Sequence, residues 1–193
     1  MAILNGEVVI QAKKYNCIFL DRDGTLNPDP GYISSISSFS FYEFTLKALS
    51  RIANKGNVFC IITNQSGVGR GLIEIEDLEE INDFIKREFR SHSINLLDIY
   101  YCVDHPNKAT QRRKPGVGMF YEAKKDHELS LSDSLMVGDS MIDIVCGKKL
   151  NMDTMLVLTG NGEKTLKLLP EKFKPTYIVT NLEEGAELLC LIK

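Results

Sequence analysis

Tryptophan is absent from this 193-residue chain, and histidine occurs only three times. The absence of tryptophan and a formal charge of −3 argue against a nucleic-acid partner, which favours stacking platforms and a basic groove. No apolar run approaches the length of a bilayer span, so no membrane partner is expected. The start, MAILNGEVVIQAKKYN, lacks a basic segment leading into a long apolar one, so no secretory signal is expected. C-x-x-C pairs are also missing. The five cysteines (Cys17, Cys60, Cys102, Cys146 and Cys190) are scattered, odd in number and set among apolar neighbours. That pattern suits reduced, buried thiols in a cytoplasmic protein. Nor is there a Pro/Gly/Ser linker or an internal repeat. What is present is an ordinary globular mixture, 44% hydrophobic and 25% charged, expected to fold as one domain over residues 1–193.

Short, continuous apolar runs alternate with amphipathic ones. Strands are expected at Cys17–Leu20, Val58–Ile62, Ile99–Val103, Ser134–Val137, Thr154–Leu158 and Tyr177–Val179. Helices are expected at Phe44–Lys55, Ile75–Ser91, Gly118–Glu128, Met141–Leu150 and Leu182–Ile192, with a short one near Glu163–Leu169. The alternation predicts an α/β fold, a Rossmann-like, doubly wound parallel sheet. The serine-rich stretch SSISSFS, residues 34–40, is expected to form part of a small hairpin or flap.

Ligands in such sheets bind beyond the carboxyl ends of the strands. There the chain places Asp21 and Asp23, then Thr63, Asn64 and Gln65, then Gly138 and Asp139. Alternation along a strand turns Asp21 and Asp23 to one side and Arg22 away. Two close carboxylates repel each other and lose solvation together, a conflict that a divalent cation resolves. Asp139 can supply a third oxygen, and Asp143, one helical turn later, a further ligand or a support for the others. Asp-Gly alone would read as a turn, but the pattern recurs at VGDSMID. TNQSGVGRG, residues 63–71, offers a hydroxyl, an amide and a glycine-rich turn. RRKPG, residues 112–116, brings Lys114 and Arg113 as partners for an anion.

DRDGT (Asp21 to Thr25), Thr63, Lys114 and GDSMID (Gly138 to Asp143) together resemble the ordered motifs of the haloacid-dehalogenase (HAD) superfamily of phosphotransferases. FLDRDGTLN, Gly31–Tyr32, TNQSGVGRG and RKP are similar, more narrowly, to the D-glycero-D-manno-heptose 1,7-bisphosphate phosphatases. The phosphatase domain of bifunctional histidinol-phosphate enzymes shares much of the pattern. The resemblance implies a Mg²⁺-dependent phosphatase with Asp21 as nucleophile, Asp23 as acid and base, and Thr63 and Lys114 as stabilisers of the phosphoryl group. It implies Mg²⁺ on the Asp21 side chain, the Asp23 carbonyl and Asp139, with Asp143 behind them. Substrate contacts would come from Asp29, Pro30, Gly31, Tyr32, Asn64, Gln65, Ser66 and Arg113. The substrate implied is a phosphorylated sugar, a heptose bisphosphate.

The chain departs from that subgroup in the loop YCVDHPNKATQRRKP. Relatives hold zinc there with a Cys-x-His and a Cys-x-Cys pair. Here Cys102 is kept, but Asp104, Thr110 and Arg112 stand at the other positions, so no zinc is expected. Cys102 then reads as a buried strand thiol and His105 as a loop residue near substrate. Ser140 stands where relatives often carry lysine. Between Gly71 and Lys114 there is room for about one helix and one strand, so the fold should be capless. Other readings are histidinol phosphate as substrate, a polynucleotide phosphatase, or a binding module without catalysis. The intact set Asp21, Asp23, Thr63, Lys114 and Asp139 speaks against the last. No long apolar surface helix stands out, so a monomer is expected.

Overall fold

The computed structural model describes residues 14–190 and the two short segments 2–4 and 7–9. Those two segments, β1 (Ala2–Leu4) and β2 (Glu7–Val9), pair as an antiparallel hairpin that no periodicity announces. The main sheet has six strands: β3 (Ile18–Leu20), β4 (Phe59–Asn64), β5 (Leu96–Cys102), β6 (Leu135–Gly138), β7 (Asp153–Val157) and β8 (Tyr177–Val179). All pairings are parallel, in the order β5-β4-β3-β6-β7-β8.

Between the strands lie α1 (Thr45–Ala53), α2 (Ser66–Gly69), α3 (Ile75–Ser91), α4 (Gly118–His127), α5 (Met141–Lys149), α6 (Gly162–Leu168) and α7 (Leu182–Cys190). The expected strands and helices all occur, with ends that coincide or shift by up to three residues. The last helix is described through Cys190, and the rest of its expected span lies outside the described residues. The expected end of β4 falls short: Thr63 and Asn64 still pair with Tyr101 and Cys102 of β5, so they sit within the strand. α2 forms inside the glycine-rich stretch, where local sequence points only to a turn.

Alternation along the strands divides the core into two layers. Ile18, Leu20, Phe59, Ile61, Leu135 and Val137 pack with α1, α3 and α7 on one face. Cys17, Phe19, Cys60, Ile62 and Met136 pack with α4 and α5 on the other. Burial on both faces is why these strands read as continuous apolar runs.

The 34–40 stretch forms a short 3₁₀ turn, Ile36–Ser38, and contains no strand. Phe39 anchors it, buried against Phe41 and Phe84 with ring centroids 5.1 and 6.0 Å away. Serine hydroxyls bonding one another in place of a ladder explain the missing hairpin: Ser35 pairs with Ser37 and Ser38 at 3.0 Å.

The strand order sets the position of the site. From β3 the chain winds outward through β4 to β5, then returns to the other side of β3 with β6. The switch point therefore lies between the carboxyl ends of β3 and β6, where α/β sheets open a crevice.

Candidate active site

Asp21 leaves β3 and Asp139 leaves β6, so the two acids flank that crevice. The Asp21 backbone N–H donates to Val137 O at 2.9 Å, tying the strand tips together. Asp21, Asp139 and Asp143 bring one oxygen each within 4.8 Å of one another. The Lys114 ammonium lies among them, donating to Asp21 Oδ1 at 2.8 Å and Asp143 Oδ1 at 2.6 Å. Only 3% of Lys114 is exposed, so this is a buried pair that needs its partners.

The charge balance is informative. Three carboxylates against one ammonium leave a net −2, which one divalent cation balances. In the protein alone, burial pushes the Asp21 carboxyl well above its ordinary range. The Lys114 ammonium works against that push, and the Asp143 and Asp139 carboxylates add to it. Burial raises Asp139 to about 6, against the opposing hydrogen bond from the Asn161 backbone N–H. Lys114 is itself held above its ordinary value: burial works against its charge, but Asp143 and Asp21 more than offset it. The oxygen-only donor set suits Mg²⁺.

The three acids are not equivalent. Asp143 Oδ1 is taken by Lys114 and Oδ2 by the Ser140 backbone N–H and hydroxyl, in a capping box that starts α5. Asp143 is fully buried and does not line the cavity, so it supports Lys114 from behind. Asp139 Oδ2 accepts from Asn161 N at 2.7 Å. Gly24 crosses directly over Asp139 with φ +81°, where any Cβ would overlap that carboxylate. Only glycine fits there.

The cavity has a volume of about 230 Å³. Its walls include Asp21, Asp23, Asp29, Gly31, Tyr32, Thr63, Asn64, Gln65, Ser66, Arg113, Lys114 and Asp139. Of the residues that the resemblance assigns to catalysis, substrate or metal, Pro30 and Asp143 are not on the wall. Asn161, Gly67, Ser140 and Ile142 complete it. Asn161 follows β7 in TGNG, and the strand-end logic applied one strand further would have found it.

Two amides on the wall do more than face it. Asn64 clasps the Lys114 peptide: Nδ2 donates to Lys114 O and Oδ1 accepts from Lys114 N, each at 3.0 Å. Asn64→Ala leaves both backbone groups without their partner. It is expected to cost about 1–3 kcal/mol of stability and to lower turnover by misplacing Lys114. Urea unfolding and phosphate release measured on the same preparation check both.

Gln65 Nε2 donates to Asp23 Oδ2 at 2.7 Å and to Thr63 Oγ1 at 3.0 Å. Arg22 also reaches Asp23, contrary to the alternation that would turn it away. Its guanidinium bonds both Asp23 oxygens at 2.9 Å and is only 1% exposed. β3 ends at Leu20, so strand alternation no longer governs residue 22, and a long side chain carrying a buried charge folds back to the nearest carboxylate.

The loop before Arg113 is ordered by side chains at the positions where zinc ligands would stand. Asp104 Oδ2 accepts from Thr110 N at 2.7 Å, and that bonding holds its carboxyl below the ordinary range. Arg112 grips Glu122 of α4 through two bonds at 2.8 and 2.9 Å. Arg113 Nη1 donates to Asp104 O at 3.2 Å. Cys102 is buried at the end of β5. His105 does not line the cavity: its Nδ1 accepts from Asn107 N, starting the 3₁₀ turn Pro106–Lys108. A proline at 106 and that cap hold it within its own turn.

Comparison with known proteins fixes the family. A D-glycero-D-manno-heptose-1,7-bisphosphate 7-phosphatase of Chlorobaculum tepidum is 34% identical over 162 residues, covering 77% of this chain and 81% of its own. The chain belongs to the heptose bisphosphate phosphatase family of HAD-like hydrolases. A Helicobacter pylori D-glycero-β-D-manno-heptose-1,7-bisphosphate 7-phosphatase is likewise 34% identical over 149 residues, covering 77% of this chain and 86% of its own. The HAD-hydrolase-like family profile matches residues 111–185. Among solved structures, the D,D-heptose 1,7-bisphosphate phosphatase of B. bronchiseptica, complexed with magnesium and phosphate, superposes with a TM-score of 0.82. It is 31% identical and is covered over 97% of its length, against 90% of this chain. This HAD-like chain is therefore a phosphoric monoester hydrolase, with the α/β fold of that family.

Proposed function

We propose that the protein removes the 7-phosphate of D-glycero-D-manno-heptose 1,7-bisphosphate, leaving the heptose 1-phosphate. The observation that carries the chemistry is the convergence of Asp21, Asp139 and Lys114 at the β3/β6 switch point. Membership of a family whose relatives carry that substrate in their names supports the sugar.

In this reading Asp21 attacks phosphorus and becomes an aspartyl phosphate. Asp23 gives a proton to the departing sugar oxygen, then takes one from the water that hydrolyses the intermediate. Lys114 and Thr63 hold the phosphoryl oxygens as charge shifts among them. Asp21, Asp139 and the Asp23 carbonyl would hold Mg²⁺, which supplies positive charge to the transferring phosphoryl group. Arg113, Asp29 to Tyr32 and Asn64 to Ser66 surround the sugar and its second phosphate. Tyr32, on the cavity wall and 48% exposed, would pack its ring against the sugar.

Only α2, α3 and β5 lie between β4 and Lys114, apart from one 3₁₀ turn, which supports a capless phosphatase domain over residues 1–193. We place it in the cytoplasm as a monomer without nucleic-acid or membrane partners. The free cysteines support that setting, and among the described residues no helix is long and apolar enough to cross a membrane.

A phosphate-release screen across sugar bisphosphates, histidinol phosphate and nucleotides, with and without Mg²⁺, tests the reading. Heptose 1,7-bisphosphate is expected to give the highest kcat/KM, and a chelator is expected to stop turnover until Mg²⁺ is restored. A preference for histidinol phosphate would overturn the substrate, and salt-sensitive cleavage of oligonucleotide ends would overturn the class of substrate altogether.

A further inference from the structure

The Asp23 carboxylate accepts four hydrogen bonds. Oδ1 takes Arg22 Nε at 2.9 Å and Asn27 Nδ2 at 3.0 Å. Oδ2 takes Arg22 Nη2 at 2.9 Å and Gln65 Nε2 at 2.7 Å. A carboxylate has about four lone-pair sites, so every one is occupied. While that holds, Asp23 can neither pass a proton to a leaving oxygen nor take one from water. One donor must withdraw.

The surroundings say which. Arg22 and Asn27 are sealed from solvent, at 1% and 0% exposure, and neither lines the cavity. Gln65 does line it, and its amide has a second acceptor in Thr63 Oγ1. Arg22 is also held from outside, with its guanidinium carbon 6.0 Å from the Phe39 ring centroid. It keeps its fork on Asp23 even though Nη1 is buried without an acceptor, which a residue needed only for packing would not require.

We infer that Arg22 is a positioning residue for proton transfer: it locks the Asp23 carboxylate from the buried side, so that transfer runs through the Oδ2 lone pair that Gln65 covers. The inference rests on Asp23 acting as acid and base, as proposed above. In the first step the Asp21–phosphorus bond forms and the bond from phosphorus to the leaving oxygen breaks. The Oδ2 proton passes to that oxygen, and Asp23 is left as carboxylate. In the second step water attacks phosphorus, the Asp21–phosphorus bond breaks, and the water proton returns to Oδ2. Without the fork the carboxylate keeps Asn27 and Gln65 but loses the paired bonds that fix its plane, and the reactions that need its proton slow most.

The readout is the dependence on leaving group. A glycerol alkoxide needs a proton to depart, whereas 4-nitrophenolate leaves without one. Single-turnover release of labelled glycerol from glycerol 2-phosphate is compared with release of nitrophenolate from 4-nitrophenyl phosphate, both with saturating Mg²⁺. Arg22→Met is expected to slow glycerol release roughly 100-fold, the lower end of what a positioned acid contributes. Nitrophenolate release should stay within about threefold, because that step draws little on the acid. Arg22→Lys keeps the charge but loses the fork, so it should show a smaller split of the same sign. It carries the test alone if Arg22→Met does not fold.

A parallel fall for both substrates, or no fall in either, would overturn the inference. Asp23→Asn separates the two levels. If it shows no split, the proton-transfer assignment fails. If it splits and the Arg22 variants do not, only the positioning claim fails.

Discussion

Asp21→Asn is expected to lose turnover by roughly four orders of magnitude or more, as removal of a nucleophile does when catalytic groups act as a unit. Asp21 sits at the tip of β3 with one oxygen on Lys114 and lines the cavity that Thr63 and Arg113 also reach. An amide has nearly the same shape, so the strand tip and the tie to Val137 should survive. Burial already disfavours charge at this position, so the neutral amide should not weaken the fold. Loss of activity without loss of stability is therefore the expected pair of results, read by phosphate release with saturating Mg²⁺ and by thermal unfolding without metal. Appreciable activity in the folded variant would mean that Asp21 is not the nucleophile.

The second large effect belongs to Lys114. In Lys114→Met the ammonium goes and the three carboxylates remain, with Asp143 fully buried. Breaking a buried ion pair from one side costs about 3–5 kcal/mol, so the metal-free variant should be less stable by about that much. Mg²⁺ should then stabilise the variant more than the unmutated protein, because the site has become more negative. Activity should nevertheless stay low, since the phosphoryl oxygens lose their ammonium partner. Urea titrations at several Mg²⁺ concentrations check the sign. A variant as stable as the parent without metal would contradict the charge balance drawn from this cluster.

Much of the sheet is legible in the sequence because its strands are buried on both faces. CIFL, VFCII and LMV read as unbroken apolar runs, and the acids that follow the first and the last mark the crevice before any fold is known. The face of α3 is equally plain: Leu78, Ile81, Ile85 and Phe89 recur at helical spacing and are all buried. What escapes is whatever depends on a side chain reaching beyond its neighbours. Alternation turns Arg22 outward, yet a flexible three-methylene stem and a buried charge bring it back to Asp23. The amides of Asn64 and Gln65 look like substrate contacts from their place in the motif, but tertiary folding also gives them Lys114 and Asp23 as partners. The loop at 103–113 is opaque for a similar reason. Its order comes from an Asp104–Thr110 bond and an Arg112–Glu122 pair, contacts that no local pattern encodes. The serine run at 34–40 misleads because its hydroxyls satisfy each other within a turn.

The aspartyl phosphate proposed at Asp21 can be captured directly. Enzyme quenched in acid during steady turnover and reduced with borohydride converts an aspartyl phosphate to homoserine, which peptide mass mapping locates. Homoserine is expected at position 21, and none when substrate is omitted. Homoserine at another acidic residue, or none anywhere while phosphate is being released at the full rate, would contradict it.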